Sequence, residues 1–168
     1  MIQIYCGEGK GKTSAAVGAA VRFSARGRVL FVQMMKSGES GEVAVLSKFE
    51  NISVFQGFRC KKFVKRMSER EKEKLKAVWA KDMSSLEKEV RKDYGMVVLD
   101  EVCSAVRQGM IAEEKIESIL EEHSEKELVL TGRSPLDFML ERADYISEIK
   151  KIRHPFDKGV RARKGVEY

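Results

Sequence analysis

The feature that most constrains this chain stands at its start. An apolar β-type run, Ile2 to Tyr5, is followed at once by Gly7-Glu8-Gly9-Lys10-Gly11-Lys12-Thr13-Ser14, and then by an alanine-rich helical pattern. A glycine loop between a strand and a helix turns successive backbone N–H groups and the helix N-terminus toward one point, where an anion is held. Lys12 can then reach phosphate oxygens and the Thr13 hydroxyl can join the shell of a Mg²⁺ ion. The spacing is atypical: the first glycine of G-x-x-x-x-G-K-[ST] would fall at Cys6, and Gly7 comes one residue late. A dinucleotide G-x-G-x-x-G fails as well, because Lys12 stands where its last glycine belongs. The loop therefore reads as a polyphosphate site.

Such a loop calls for a second strand ending in an acid that meets the metal directly or through water, and Met96-Val97-Val98-Leu99-Asp100-Glu101 supplies it. After a further strand, Thr131-Gly132-Arg133 places a guanidinium on the same carboxyl edge, where ligands sit in open α/β sheets. Strands are expected near Ile2 to Tyr5, Arg28 to Met34, Ile52 to Phe55, Met96 to Leu99, Glu127 to Leu130 and Tyr145 to Ile152. Their alternation with helical patterns makes the class α/β, a mostly parallel sheet of about six strands with helices on both faces. At 168 residues the chain suits one domain, 1–168, with a basic tail at about 153–168. The first helix is expected to run to Gly27 as its C′ residue, packing through Ala15, Ala16, Gly18, Ala19 and Ala20. Ser68 and Glu71 form a capping box for a long helix over 68–93, with Leu75, Val78, Trp79, Leu86 and Val90 as its inner stripe. Ser134-Pro135 reads as the N-cap and N1 proline of a short helix.

Charge separates the function classes. Residues 1–36 carry six basic side chains against Glu8 alone, and residues 150–168 carry seven against Asp157 and Glu167, while the net charge of the whole is only +6. Basic ends around a mildly acidic middle suit a focused anionic ligand better than a nucleic-acid stripe. Cys6, Cys60 and Cys103 are too few for a disulfide framework, and His123 and His154 cannot build a multi-histidine zinc site. With no apolar run of membrane length and no signal-peptide core, a cytoplasmic protein is expected.

These residues resemble one family over nearly the whole chain, the ATP:corrinoid adenosyltransferases of the cobalamin-biosynthesis type. The likeness runs through the loop and helix start at Gly7 to Ala16, Arg22, Val32-Gln33, Lys36, Gly38, Gly41-Glu42, Gly57-Phe58, Ala77-Val78-Trp79, Val97 to Glu101 and Thr131-Gly132-Arg133. Its most specific piece is the tail from His154 to Tyr168, similar to H-x-F-D-x-G-V-x-A-x-x-G-[IV]-[DE]-Y, which ordinary P-loop kinases and RecA-type ATPases lack. Two positions depart: Cys60 stands where the family often has Trp, and Glu8 where it commonly has Asn.

The resemblance implies a P-loop NTPase (RecA-like) fold and a reaction in which Co(I) of a reduced corrinoid attacks the ribose C5′ of ATP and triphosphate leaves. It casts Gly7, Glu8, Gly9, Lys10, Gly11, Lys12, Thr13, Ser14 and Arg22 as the ATP site, and Lys12 and Arg133 as the groups that neutralise the leaving triphosphate. Thr13, Asp100 and Glu101 become organisers of Mg²⁺ or Mn²⁺. Phe58 becomes the apolar residue below the corrin that keeps a lower axial ligand away. It also implies a nucleotide reversed relative to ordinary P-loop enzymes, a flavoprotein reductant supplying Co(I), and a homodimer. The competing readings are a RecA-like kinase or ATPase, a nucleic-acid-binding ATPase using Arg59, Lys61, Lys62, Lys65 and Arg66, and a non-catalytic nucleotide-binding regulator.

Overall fold

A computed structural model describes residues 1–37, 40–163 and 165–166, the side chain of Phe156 excepted; Gly38, Lys164, Glu167 and Tyr168, named above in the matching motifs, lie outside the described residues. Six strands form one sheet in which every pairing is parallel: β1 (Ile2–Cys6), β2 (Val29–Gln33), β3 (Ile52–Phe55), β4 (Met96–Asp100), β5 (Glu127–Thr131) and β6 (Tyr145–Glu148). Their order is β3-β2-β4-β5-β1-β6, so β5 lies between the glycine-loop strand and the strand that ends in Asp100.

Parallel strands buried on both faces read as continuous apolar runs, and β2 and β4 are buried at every position. Successive side chains leave a strand on opposite faces, which divides the core in two. Val29, Phe31, Met96, Val98 and Val129 pack with Ala16 and Ala20 of α1 (Lys12–Ser24) and Leu46 of α2 (Gly41–Leu46). Leu30, Val32, Val97, Leu99, Leu128 and Leu130 face α3 (Glu69–Val90), α4 (Val102–Arg107) and α5 (Glu113–Glu122). The α/β class, the six parallel strands and the helices on both faces are as expected.

The boundaries move for identifiable reasons. The last strand stops at Glu148 because its neighbour β1 ends at Cys6, opposite Glu148, and the glycine loop beyond offers no ladder; Ile152 is exposed. Helix α1 ends at Ser24, not Gly27, and its sheet-facing residues are Ala16 and Ala20, while Gly18 is exposed. Gly27 does not adopt the left-handed C′ conformation; it makes room for the Phe23 ring, which an added Cβ would meet at 2.9 Å. On α3 the capping box forms as expected, Glu71 N–H donating to the Ser68 hydroxyl. Its stripe is Trp79, Met83, Leu86 and Val90, and Val78 is exposed, because Met83 lies one turn on from Trp79 whereas Val78 points away. The short helix α6 (Asp137–Arg142) starts after an N-cap at Leu136, and Ser134 and Pro135 precede it with their carbonyls accepting from the Arg107 guanidinium.

Phe58 belongs to the core. It is 0% exposed, its ring edge meets Trp79 at 5.5 Å between centroids, and Phe55 lies 5.8 Å away. Removing a buried aromatic costs its transfer free energy plus a cavity, so Phe58→Ala is expected to lower stability by about 3–5 kcal/mol. A denaturant titration showing under about 1 kcal/mol would contradict this packing. No helix among the described residues is long and apolar enough to cross a membrane.

Candidate active site

The glycine loop is stitched to its surroundings by backbone bonds. Gly7 N–H donates to Arg133 O at 3.0 Å, and Gly9 N–H donates to Ile149 O at 2.7 Å, just past the end of β6. The approach is too close for a side chain: a Cβ at Gly7 would lie 2.6 Å from Ile149 O and one at Gly9 2.7 Å from it, and Gly7 also has φ +98°. The glycines are thus set by the packing of the loop under the end of β6. Lys12 is buried and its ammonium turns back into the loop, donating to Gly7 O at 2.7 Å and Gly9 O at 2.8 Å. Burial holds its pKa below the ordinary lysine value, opposed by Glu101 and reinforced by Arg133.

Thr13 and Asp100 meet at the sheet edge although 87 residues separate them: the Thr13 hydroxyl donates to Asp100 Oδ1 at 2.9 Å. Thr131, at the end of the intervening β5, donates to the same oxygen at 2.7 Å and accepts from Glu101 N–H at 2.8 Å. Asp100 is fully buried, and its other oxygen accepts from Lys36 Nζ at 3.1 Å and from Gln33 Nε2 at 3.4 Å. Lys36 also donates to Glu42 Oε1 at 2.8 Å and to the Thr13 hydroxyl at 3.3 Å. Gln33 donates to Glu42 Oε1 at 2.9 Å, and Ser40 fixes the far side of that amide by donating to Gln33 Oε1 at 2.7 Å. Burial works against charge on both Lys36 and Glu42. Their contacts outweigh it: Asp100 and Glu42 raise the Lys36 pKa, and Lys36 and Gln33 lower that of Glu42.

Arg133 is exposed on the loop's edge and pairs with Glu8 at 2.8 Å, so the acid that departs from the family pattern faces a guanidinium. Lys10 and Ser14 are exposed beside the loop. Glu101 stands in a left-handed conformation at φ 61°, and its carboxylate accepts from Ser104 at 2.7 Å, outside the Asp100 cluster. Arg22 is not brought to the loop: it is exposed in the last turn of α1, ten residues beyond Lys12 and therefore about 15 Å along the helix axis. Phe58 is not at a surface, as described above. Among the described residues the non-glycine positions with left-handed backbone are Met35, Phe58 and Glu101, each just after one of the neighbouring strands β2, β3 and β4. Backbone strain gathered at one sheet edge is characteristic of a functional edge.

Gln33, Lys36, Glu42 and Thr131 were visible in the sequence only as motif matches without a role. Beside Lys36 opens a cavity of about 610 Å³, lined in part by Met35, Cys60, Lys61, Phe63 and Arg66. Its exposed aromatic is Phe63, 76% accessible, with the Arg66 guanidinium 5.6 Å from its ring. Cys103, behind the edge, has its thiol pushed up to about 12 by burial. It is expected to stay unreacted with a disulfide reagent at pH 8 in the folded protein and to react on unfolding; rapid native-state labelling would contradict that placement.

The donor set suits a hard cation. Thr13, Asp100 and Glu42 present oxygen only, the Lys36 ammonium stands among them as a stand-in charge, and no group of three or more His, Cys, Asp or Glu side chains is assembled for a metal among the described residues. Mg²⁺ is usually held by one or two carboxylates together with substrate phosphates and waters, which this arrangement fits.

Comparison with known proteins decides between the enzymes that could use such an edge. The family described as "ATP:corrinoid adenosyltransferase BtuR/CobO/CobP" matches residues 1–168. The chain belongs to this family. It is 31% identical over 175 residues to a corrinoid adenosyltransferase of Pseudomonas aeruginosa, covering 100% of this chain and 83% of that one. It is 33% identical over 180 residues to a corrinoid adenosyltransferase of Escherichia coli (strain K12), covering 100% and 85%. A third relative, the corrinoid adenosyltransferase CobA of Salmonella typhimurium, is 32% identical over 175 residues, with 100% and 85% covered. Within the family frame, the Gln33, Lys36 and Glu42 matches acquire a place: they complete the cluster around Asp100.

Proposed function

We propose that this chain, acting as one nucleotide-binding domain over residues 1–168, transfers the 5′-deoxyadenosyl group of ATP to the Co(I) centre of a corrinoid and releases triphosphate. The observation that carries the proposal is the family match along the full chain, because the loop and Asp100 alone would serve a kinase or ATPase equally well. In the transfer, the Co(I) electron pair forms the Co–C5′ bond as the C5′–O bond breaks, and the triphosphate departs with the pair of that bond. No proton changes hands at the reacting atoms, so Asp100 and Glu101 have no acid–base duty.

The work left to the protein is to hold and neutralise the triphosphate in a preorganised site. The loop N–H groups, Lys12 and Arg133 do this, Lys12 and Arg133 each having first to leave its present oxygen partners. Mg²⁺, held by Thr13, Asp100 and Glu42, would supply positive charge to the phosphate oxygens. The corrinoid approaches from the cavity beside Lys36, where Phe63 offers the apolar surface that Phe58, being buried, does not. A flavoprotein reductant supplying Co(I), a cytoplasmic location and a homodimer complete the proposal on family grounds.

Phosphorus NMR of the spent reaction tests it. With Mg-ATP and a chemically reduced corrinoid, intact triphosphate is expected in proportion to corrinoid consumed; ADP or orthophosphate in that proportion would point to a kinase or ATPase.

A further inference from the structure

We propose that the Lys36 ammonium is the resident counter-cation of the metal site: it holds Thr13, Glu42 and Asp100 together in the nucleotide-free protein and is displaced when the divalent cation arrives. The inference rests on the proposal that these three residues take the metal.

Charge gives the first reason. Two carboxylates share this edge, one of them fully buried, and charge held that far from water is normally paired with an opposite charge. Lys36 meets both, at 2.8 Å and 3.1 Å, and reaches the Thr13 hydroxyl at 3.3 Å, so every oxygen expected on the metal already faces its Nζ. A second cation cannot enter the same oxygens while the ammonium stays, since like charges at such separations repel strongly in a partly dry site.

The surroundings are built so that the side chain alone can leave. The backbone is fixed: Lys36 O accepts from Cys60 N–H at 2.8 Å, and Met35 before it is held at φ 62°. Gln33 also donates to both carboxylates, to the same Glu42 and Asp100 oxygens, and is itself held by Ser40, so the two acids keep a shared donor when Nζ withdraws. Room to withdraw exists, because Lys36 is one wall of the 610 Å³ cavity and its side chain is 30% exposed. Metal binding and nucleotide binding are thereby coupled: metal alone must evict an ammonium with nowhere better to go, whereas triphosphate offers that ammonium new oxygens.

Two measurements on the full-length, nucleotide-free protein test this, with Mn²⁺ as the probe. In electron paramagnetic resonance titrations, Lys36→Met is expected to bind Mn²⁺ at least about tenfold more tightly than the unaltered chain, and Lys36→Met combined with Asp100→Asn to lose that gain. Equal or weaker binding by Lys36→Met, or no binding by either protein, overturns the proposal. The second measurement needs no variant and so does not depend on one folding. Reductive methylation of Lys36, read by peptide mass spectrometry, is expected to be slow without metal and several-fold faster at Mn²⁺ concentrations that saturate the resonance signal. An unchanged rate at saturation overturns the proposal. Neither arm uses a corrinoid, so tighter Mn²⁺ binding without adenosyl transfer would sink the enzyme assignment and leave the counter-cation standing.

Discussion

Lys12→Ala is expected to reduce adenosyl transfer by at least about a hundredfold, the loss seen when a preorganised charge or donor is removed from a developing anion. The same change should be mild for the fold. Lys12 now donates to Gly7 O and Gly9 O inside the loop, and burial disfavours its charge. Truncation leaves two carbonyls short of a donor but also relieves a buried ammonium, for a net cost of about 1 kcal/mol. In a chain of this size that lowers the unfolding midpoint by about 2–4 °C. Turnover within about threefold of the unaltered protein would remove Lys12 from the site. Collapse of the fold would mean that the loop geometry depends on Lys12 far more than two hydrogen bonds imply.

Asp100→Asn should be severe in both respects. The native carboxylate accepts from two hydroxyls on one oxygen and from an ammonium and an amide on the other. An asparagine has the same shape, but its NH₂ group turns a donor toward donors, and the loss of charge leaves Lys36 with Glu42 alone. Breaking a buried pair typically costs about 3–5 kcal/mol. Lys36 keeps one carboxylate and is partly solvated, so about 2–3 kcal/mol is expected here, together with a loss of at least about a hundredfold in turnover. Denaturant midpoints and steady-state rates measured on the same preparation check the two halves separately. A stable Asp100→Asn protein with near-native turnover would contradict the placement of Asp100 at the centre of the site.

The range of each interaction along the chain decides how much of the fold and the site the sequence displays. Val29 to Gln33, Met96 to Asp100 and Glu127 to Thr131 announce themselves because a parallel strand buried on both faces is a short, mostly unbroken apolar run. The Ser68–Glu71 capping box is a contact over three residues and forms as written. Asp100 is legible because a glycine loop demands an acid at a strand end and few strands end in one. Lys36 and Glu42 are different. Their sequence neighbourhood is an ordinary polar loop, and only the pairing of Gln33 opposite Asp100 in the sheet brings that loop to the carboxylate. Thr131 acquires meaning only from strand order, since β5 happens to lie between the two strands that make the site. Phe58 is the converse case: a Gly-Phe pair in a loop gives no sign that the ring turns inward onto Trp79, while the Phe58 N–H donates to Asp82 Oδ2 at 2.8 Å. The aromatic left outside, Phe63, lies among lysines and arginines that suggest a nucleic-acid loop until the cavity beside Lys36 is seen.

The most direct test is formation of the Co–C bond itself. The protein is mixed without oxygen with Mg-ATP and chemically prepared cob(I)alamin, the Co(I) absorption is followed, and Lys12→Ala is run beside it. Loss of the Co(I) spectrum with appearance of a light-sensitive adenosylcobalamin, absent from the variant, is the expected result. Persistence of Co(I) while ATP is consumed, or an equal rate in Lys12→Ala, would contradict it.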